Sequence, residues 1–265
     1  MKISELLKIG ENLTDSSFVA KELMKFHTKL SFEEIFLNSN TIIKDEDGYI
    51  KLIKRYANGE PLEYITNSCE FYGLNFFVKK GVLIPRFETE ILIQKAINLL
   101  SNINSPRICE IGFGSGIISI ILAKNLKNAS IIATDISKIA LEVAICNAKT
   151  HGVNVEFVNT SLLDRINGNF DFVISNPPYI SNSYKLDKWV LNEPKEALIG
   201  GEIGDEILHK IIEISANRTN FLACEMGYDQ KKSLQEKLIK FGFKAEFYKD
   251  LAGFDRGFVA RRENV

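Results

Sequence analysis

Asn176-Pro177-Pro178-Tyr179 is the most chemically specific stretch of this sequence. It follows directly on Phe170 to Ser175, an apolar run of the kind that forms a buried strand. Proline fixes its own φ and drives the residue before it towards extended backbone, so Asn176 and the carbonyls beside it are stiffly aimed. Two fixed oxygens, the Asn176 side-chain oxygen and the backbone carbonyl of Pro177, suit a flat NH2 group, because together they accept both N–H bonds and point the nitrogen in one direction. An amide nitrogen needs such help: its lone pair is delocalised, as the ~18–20 kcal/mol barrier to amide rotation shows. Tyr179 would wall the planar group by stacking and attract a nearby cation. The plain alternative is a rigid surface turn, since Asn-Pro and Pro-Pro are ordinary turn pairs.

A second constellation precedes it. Glu110-Ile111-Gly112-Phe113-Gly114-Ser115-Gly116 follows the apolar run from Arg107 and opens a helical stretch, where glycines let a ligand approach the backbone. Its G-x-G-x-G spacing is one residue tighter than the dinucleotide G-x-G-x-x-G, and an acid stands close before the first glycine. Asp135 ends the next apolar run, where a carboxylate can accept both hydroxyls of a ribose. A glycine loop with a ribose acid points to a nucleoside cofactor. S-adenosylmethionine carries a sulfonium and an ammonium and no phosphate, so acids such as Glu110 suit it, whereas a pyrophosphate would be repelled. The alternative, in which the glycines serve helix packing and Asp135 caps a helix, accounts for less of the pattern.

The elements that must hold these groups are legible in the periodicity. Short apolar runs near 107 to 111, 130 to 135, 153 to 158, 170 to 175 and 221 to 226 alternate with helical stretches near 115 to 126, 137 to 151, 205 to 216 and 229 to 241. Such alternation predicts a mostly parallel sheet covered on both faces. Two closing runs, Phe243 to Tyr248 and Gly257 to Arg261, have no helix between them and are expected to pair antiparallel at the end of the sheet. Before residue 65 the apolar positions recur at helical spacing (Ile3, Leu6, Leu7; Val19, Leu23, Phe26, Leu30; Ile50, Ile53, Tyr56), and Ser31 with Glu34 can form a capping box. The expected organisation is a helical domain over 1–65, a β-hairpin linker over 66–84 carried by the aromatic run 69–84, and a catalytic domain over 85–265 that starts with a helix from Glu88 to Leu100.

With 45% apolar and 25% charged residues the chain reads as an ordinary globular protein. Its 33 basic and 34 acidic side chains leave no excess of positive charge of the kind that holds nucleic acid through phosphates, so nucleic acid is not the expected partner. No run reaches the roughly eighteen apolar residues of a membrane span, and the N-terminus lacks an apolar signal core, so a cytoplasmic location without membrane partners is expected. Cys69, Cys109, Cys146 and Cys224 form no CxxC pair, and His27, His151 and His209 are scattered, which argues against a metal or redox site.

Beyond the two loops, Gly59 to Ile65, Glu70 to Leu74, Gly81 to Glu90, Glu193-Pro194 with Ala197-Leu198, and Lys249 to Arg256 make the sequence resemble the HemK/PrmC family, the protein-(glutamine-N5) methyltransferases of class I peptide chain release factors. The likeness runs from about residue 55 to about 262. The NPPY motif alone is shared with methyltransferases of DNA adenine and RNA guanine; the flanking motifs select the protein-methylating branch. The resemblance implies an α/β fold with a seven-stranded Rossmann-like class I methyltransferase sheet, a small N-terminal helical domain that grips the protein substrate, and methylation of the glutamine in a Gly-Gly-Gln loop. It assigns Gly112, Phe113, Gly114, Ser115, Gly116, Asp135 and Asn176 to S-adenosylmethionine, with Ser161 and Leu162 flanking the adenine. Asn176, Pro177, Pro178 and Tyr179 take the substrate amide, with Asn176, Pro177 and Tyr179 as the catalytic set. The sequence departs from the family at Phe87, where proline is usual, at Phe113, where a small residue is common, and at Ser161-Leu162, where an acid and often an aromatic stand. Three other readings remain: a nucleic-acid amine methyltransferase, a dinucleotide oxidoreductase and a non-catalytic translation-factor binder.

Overall fold

A computed structural model describes residues 1–263; Asn264 and Val265, the end of the expected 85–265 domain, lie outside the described residues. The chain divides into two compact units, one of Met1–Ser68 with Asp187–Asn192, the other of Cys69–Leu186 with Glu193–Val265.

The smaller unit holds α1 (Ile3–Thr14), α2 (Ser17–Thr28), α3 (Phe32–Leu37), α4 (Glu46–Ala57) and α5 (Leu62–Thr66). In α1, α2 and α4 the apolar face follows the helical spacing read from the sequence, and Ile3, Leu6, Leu23, Met24, Tyr49 and Ile53 form the centre of the unit's core. The capping box is present: Glu34 N donates to Ser31 Oγ at 3.2 Å, and Ser31 N donates to Glu34 Oε2 at 2.8 Å. Within α1, Gly10 leaves room for Tyr49, whose hydroxyl donates to the Ala20 carbonyl at 3.1 Å; a Cβ at Gly10 would stand 2.2 Å from that hydroxyl.

Next come β1 (Ser68–Phe71) and β2 (Leu74–Phe77), joined through Tyr72 and Gly73 with φ of 53° and 69°. Two consecutive positive φ values belong to the hairpin turn whose twist matches its strands, and a glycine in the second place lowers its cost. The hairpin ends at Phe77 and not at Ile84 as expected. From there to Arg86 the chain runs without regular structure, bending at Gly81 (φ 100°), where a Cβ would meet the Ile139 side chain at 2.9 Å.

The larger unit is a seven-stranded sheet in the order β10-β11-β9-β6-β3-β4-β5. Its strands are β3 (Arg107–Ile111), β4 (Ser130–Asp135), β5 (Glu156–Asn159), β6 (Phe170–Ser175), β9 (Thr219–Glu225), β10 (Phe243–Lys249) and β11 (Asp255–Arg262). All neighbours pair in parallel except β11, which is antiparallel to both β9 and β10, as the absence of a helix between the closing runs required. Period-two alternation splits each central strand between two cores. Ile108, Phe172 and Ala223 face α6 (Glu88–Leu100) and α7 (Ile117–Asn125), while Cys109, Val173 and Leu222 face α9 (Glu206–Ser215) and α10 (Lys231–Lys240). A further cluster packs α8 (Lys138–His151) on Ala133 and Phe113. Unforeseen in the sequence is a two-stranded parallel pair, β7 (Ile180–Ser181) with β8 (Ile199–Gly201), which ties the segment after Tyr179 to the residues before α9. Strand β5 begins at Glu156 and not at Val153.

Candidate active site

Sheet order decides where chemistry can happen. Strand β3 leads one way to β4 and β5, and the chain then returns to β6 on the other side of β3, so a crevice opens where β3 and β6 end side by side. Ile111 pairs with Ser175, and the Ser175 hydroxyl donates to the Ile111 carbonyl at 2.6 Å. Gly112 and Asn176 are therefore the first residues past the same edge, on strands roughly 4.8 Å apart. On the far side of β6, Ser175 pairs with Cys224, which puts Glu225 beside Asn176.

A cavity of about 700 Å³ opens at this edge, within the range of ligand pockets. Gly112, Gly114, Asp135, Ser161, Leu162, Asn176, Pro177 and Pro178 line it, so most of the expected site residues from four separate loops meet in one wall. Gly112 (φ 78°) and Gly114 (φ 50°) have open space where a Cβ would sit. Gly116 is different: a Cβ there would stand 3.1 Å from the Ala144 Cβ, so its lack of a side chain serves the packing of α7 on α8. The Phe113 ring is buried and lies edge-on to Phe157 at 5.0 Å, and Ser115 is buried as well. Phe113, Ser115 and Gly116 are not part of the cavity wall.

Asp135 holds the loop in shape. Its Oδ2 accepts from Gly114 N at 2.9 Å and its Oδ1 from Ser137 N at 2.8 Å; burial raises its pKa, and those backbone donors partly offset the rise. Each carboxylate oxygen keeps a further lone pair for a ligand hydroxyl. Asn147, a residue with no sequence signal, braces the loop from beneath: its amide donates to the carbonyls of Ser115 and Phe77, both at 2.9 Å, and accepts from Phe77 N at 2.8 Å. Glu110 behaves otherwise than expected. It is fully buried outside the cavity wall, and its Oε2 accepts from Ser119 N at 2.9 Å and from the Ser119 hydroxyl. Burial pushes its carboxyl up to about 8, so at neutral pH it serves the start of α7 and presents no negative charge to a cationic ligand.

The second loop is held by a chain of side-chain hydrogen bonds. Asn176 Nδ2 donates to Thr89 Oγ1 at 3.0 Å, Thr89 Oγ1 donates to Glu225 Oε2 at 2.7 Å, and the Tyr179 hydroxyl donates to Glu225 Oε1 at 3.0 Å. Thr89 and Glu225 are buried. The Asn176 NH2 is thus engaged on the protein side. Tyr179 packs in the cluster under α9 and α10 and is not part of the cavity wall, and its hydroxyl braces Glu225. Next in sequence to the cavity-lining Pro194, Glu193 accepts from Ile84 N at 2.9 Å and pairs with Arg86. Among the described residues no cluster of His, Cys, Asp and Glu could hold a metal ion.

A parallel sheet with this strand order, a glycine crevice and an asparagine-proline corner at one edge define a methyltransferase domain. The family model described as Methyltransferase small domain matches residues 88–201, and a methyltransferase structure from Pyrococcus furiosus shares the fold with a TM-score of 0.55 at 21% identity over 73% of this chain and 91% of that one. Closer relatives name the branch. The chain is 38% identical over 243 residues to the release factor glutamine methyltransferase of Clostridium botulinum, covering 86% of each protein. It is 35% identical over 272 residues to that of Aquifex aeolicus, covering 99% of this chain and 96% of the relative. The chain belongs to the release factor glutamine methyltransferase family.

Proposed function

We propose that this protein transfers a methyl group from S-adenosylmethionine to the side-chain amide nitrogen of the glutamine in the Gly-Gly-Gln loop of class I peptide chain release factors. The observation that carries the reading is the orientation of Asn176. With Nδ2 donated to Thr89, its Oδ1 is the end of the amide left for the cavity, one strand spacing from Gly112.

The cavity suits the donor. Open space at Gly112 and Gly114 admits close backbone approach, Asp135 offers acceptors for ribose hydroxyls, and Leu162, Ile136 and Ile139 supply an apolar face for a purine, with Ser161 beside them. When bound, S-adenosylmethionine supplies an electrophilic methyl on a positively charged sulfur. The protein's part is to hold the acceptor nitrogen. Asn176 Oδ1 and the Pro177 carbonyl accept its two N–H bonds, which localises density on nitrogen and replaces water by fixed dipoles. Pro178 stiffens the corner. The helical unit would grip the protein substrate; its exposed Phe18, Phe32, Phe36, Leu37 and Ile42 favour that use.

The test is methyl transfer from labelled S-adenosylmethionine to a purified release factor, beside the same factor with its loop glutamine changed to alanine. Label on the first alone is the expected result; equal label on both removes the glutamine assignment.

A further inference from the structure

An asparagine amide has an oxygen end and a nitrogen end of nearly the same size and opposite hydrogen-bonding character. The proline-stiffened backbone sets where the Asn176 amide lies, but cannot decide which end faces the cavity. If the NH2 faced it, a substrate N–H would meet a donor and the site would repel what it should hold.

The decision is made behind Asn176. An ionised carboxylate can only accept, so Glu225 obliges both hydroxyls beside it, Thr89 and Tyr179, to donate. A threonine hydroxyl has one hydrogen; once that is given to Glu225, only its lone pairs remain for Asn176, and they can be met only by the NH2 end. We infer that Thr89 and Glu225 are positioning residues for methyl transfer, a two-step polarity relay in which the acceptor-only carboxylate fixes the direction of the Thr89 hydrogen bond and so turns the Asn176 oxygen to the substrate. The inference rests on the reading of Asn176 as the group that holds the substrate amide. It goes beyond that reading by giving work to two residues that need not touch substrate or cofactor.

The relay has a condition. Protonating Glu225 turns one of its oxygens into a donor; Thr89 can then accept from Glu225 and donate to Asn176 Oδ1, which turns the amide over. Burial pushes the Glu225 carboxyl up to about 6, with the bonds from Thr89 and Tyr179 and the nearby Arg256 of β11 pulling down and Glu88 of α6 pushing up. Tyr248 of β10 also faces it, and its own phenol is pushed up by burial and by the Glu225 charge. Arg256 itself is tied to Asp250 Oδ2 through Nε at 3.0 Å and Nη2 at 2.8 Å, so it adds positive potential without displacing either hydroxyl.

Two measurements separate this inference from the functional reading. The first needs no substrate: with asparagine labelled in nitrogen, the Asn176 side-chain NH2 signals, identified by their absence in Asn176→Ala, should shift with pH around a midpoint of about 6. That titration should vanish in Glu225→Gln and in Thr89→Val. An Asn176 signal that does not titrate overturns the relay, whatever the enzyme does. The second is turnover on the release factor. Thr89→Val should lower kcat by about a hundredfold with donor affinity retained, Thr89→Ser should recover most of that loss, and wild-type kcat should fall as pH drops below about 6. Unchanged kcat in Thr89→Val overturns the inference, and so does a joint loss of turnover and donor binding, which would make Thr89 a packing residue. A titrating Asn176 in a protein that methylates no release factor would leave the relay standing and refute the proposed function.

Discussion

Side chains at the crevice divide into those that meet a ligand and those that orient others. Asn176 lines the cavity and in the proposed reading belongs to the first group, so its truncation isolates the acceptor. Asn176→Ala should fold and bind S-adenosylmethionine as the wild type does, with kcat on the release factor lower by at least about a hundredfold; calorimetry of donor binding beside a turnover assay checks both halves. Glu110 is in the second group and makes a separate prediction about stability. Its carboxyl is pushed from an ordinary 4.5 up to about 8 by burial. The folded state therefore holds that proton more tightly than the unfolded chain does. The associated stability is fully present below about pH 4.5, and it is lost as pH rises towards and through about 8. Thermal melts of the unliganded protein should show the melting temperature falling between about pH 5 and about pH 9, and Glu110→Gln should flatten that slope. An equally steep slope in the variant would place the titration elsewhere.

Among the elements, the glycine loop shows how one motif can serve two purposes. Gly112 and Gly114 border the cavity, whereas Gly116 lies against Ala144. Both Gly112 and Gly116 have positive φ, so an alanine at either strains the backbone by roughly 1–2 kcal/mol. Only at Gly116 does the new methyl also collide, adding about 1–3 kcal/mol of overpacking. Urea unfolding should therefore find Gly116→Ala the less stable of the two. Donor titrations should find that Gly112→Ala loses more affinity than its modest stability loss explains. The strands and helices themselves were legible because each repeats a simple period: the closing hairpin β10–β11 follows from two apolar runs with no helix between them. The pair β7–β8 was not legible, since strands of two and three residues carry no period to read. The β1–β2 hairpin was overextended for a related reason: Val78 and Val82 to Ile84 are strand-like residues, but the chain bends at Gly81 and forms no regular strand there.

At the scale of the whole molecule, charge bears on the choice of substrate. With 33 basic and 34 acidic side chains the protein lacks the excess cation that non-specific nucleic-acid binding draws on. Fluorescence anisotropy with an arbitrary labelled duplex and an arbitrary RNA should show no binding at micromolar protein and physiological salt. Micromolar retention that weakens steeply with salt would favour the amine methyltransferases of nucleic acids, which share the NPPY corner. No helix among the described residues is long and apolar enough to cross a membrane. The segment Asp187–Asn192 groups with the helical unit although the chain on either side of it belongs to the larger one; Trp189 lies 4.5 Å from Tyr56, and Asn192 Nδ2 donates to the Gly59 carbonyl at 2.7 Å.

What the residues determined alone was everything that depends on local spacing: the helical and strand periods, the two loops at strand ends, the turn chemistry of the prolines and glycines, and the family that their combination marks. What only the folded chain decided was direction and depth. Glu110 reads as an acid for a cationic ligand until burial turns it towards Ser119. Tyr179 reads only as an aromatic ring, and the fold alone shows that its hydroxyl is bound to Glu225. Thr89 falls within the family motif Gly81 to Glu90, but nothing in the sequence couples it to Glu225, because the two stand 136 residues apart and meet only when β9 lies beside β6 and α6 packs against them. A hydrogen bond has a donor and an acceptor, and no one-dimensional pattern records which way it will point; that is settled when burial removes water as the alternative partner.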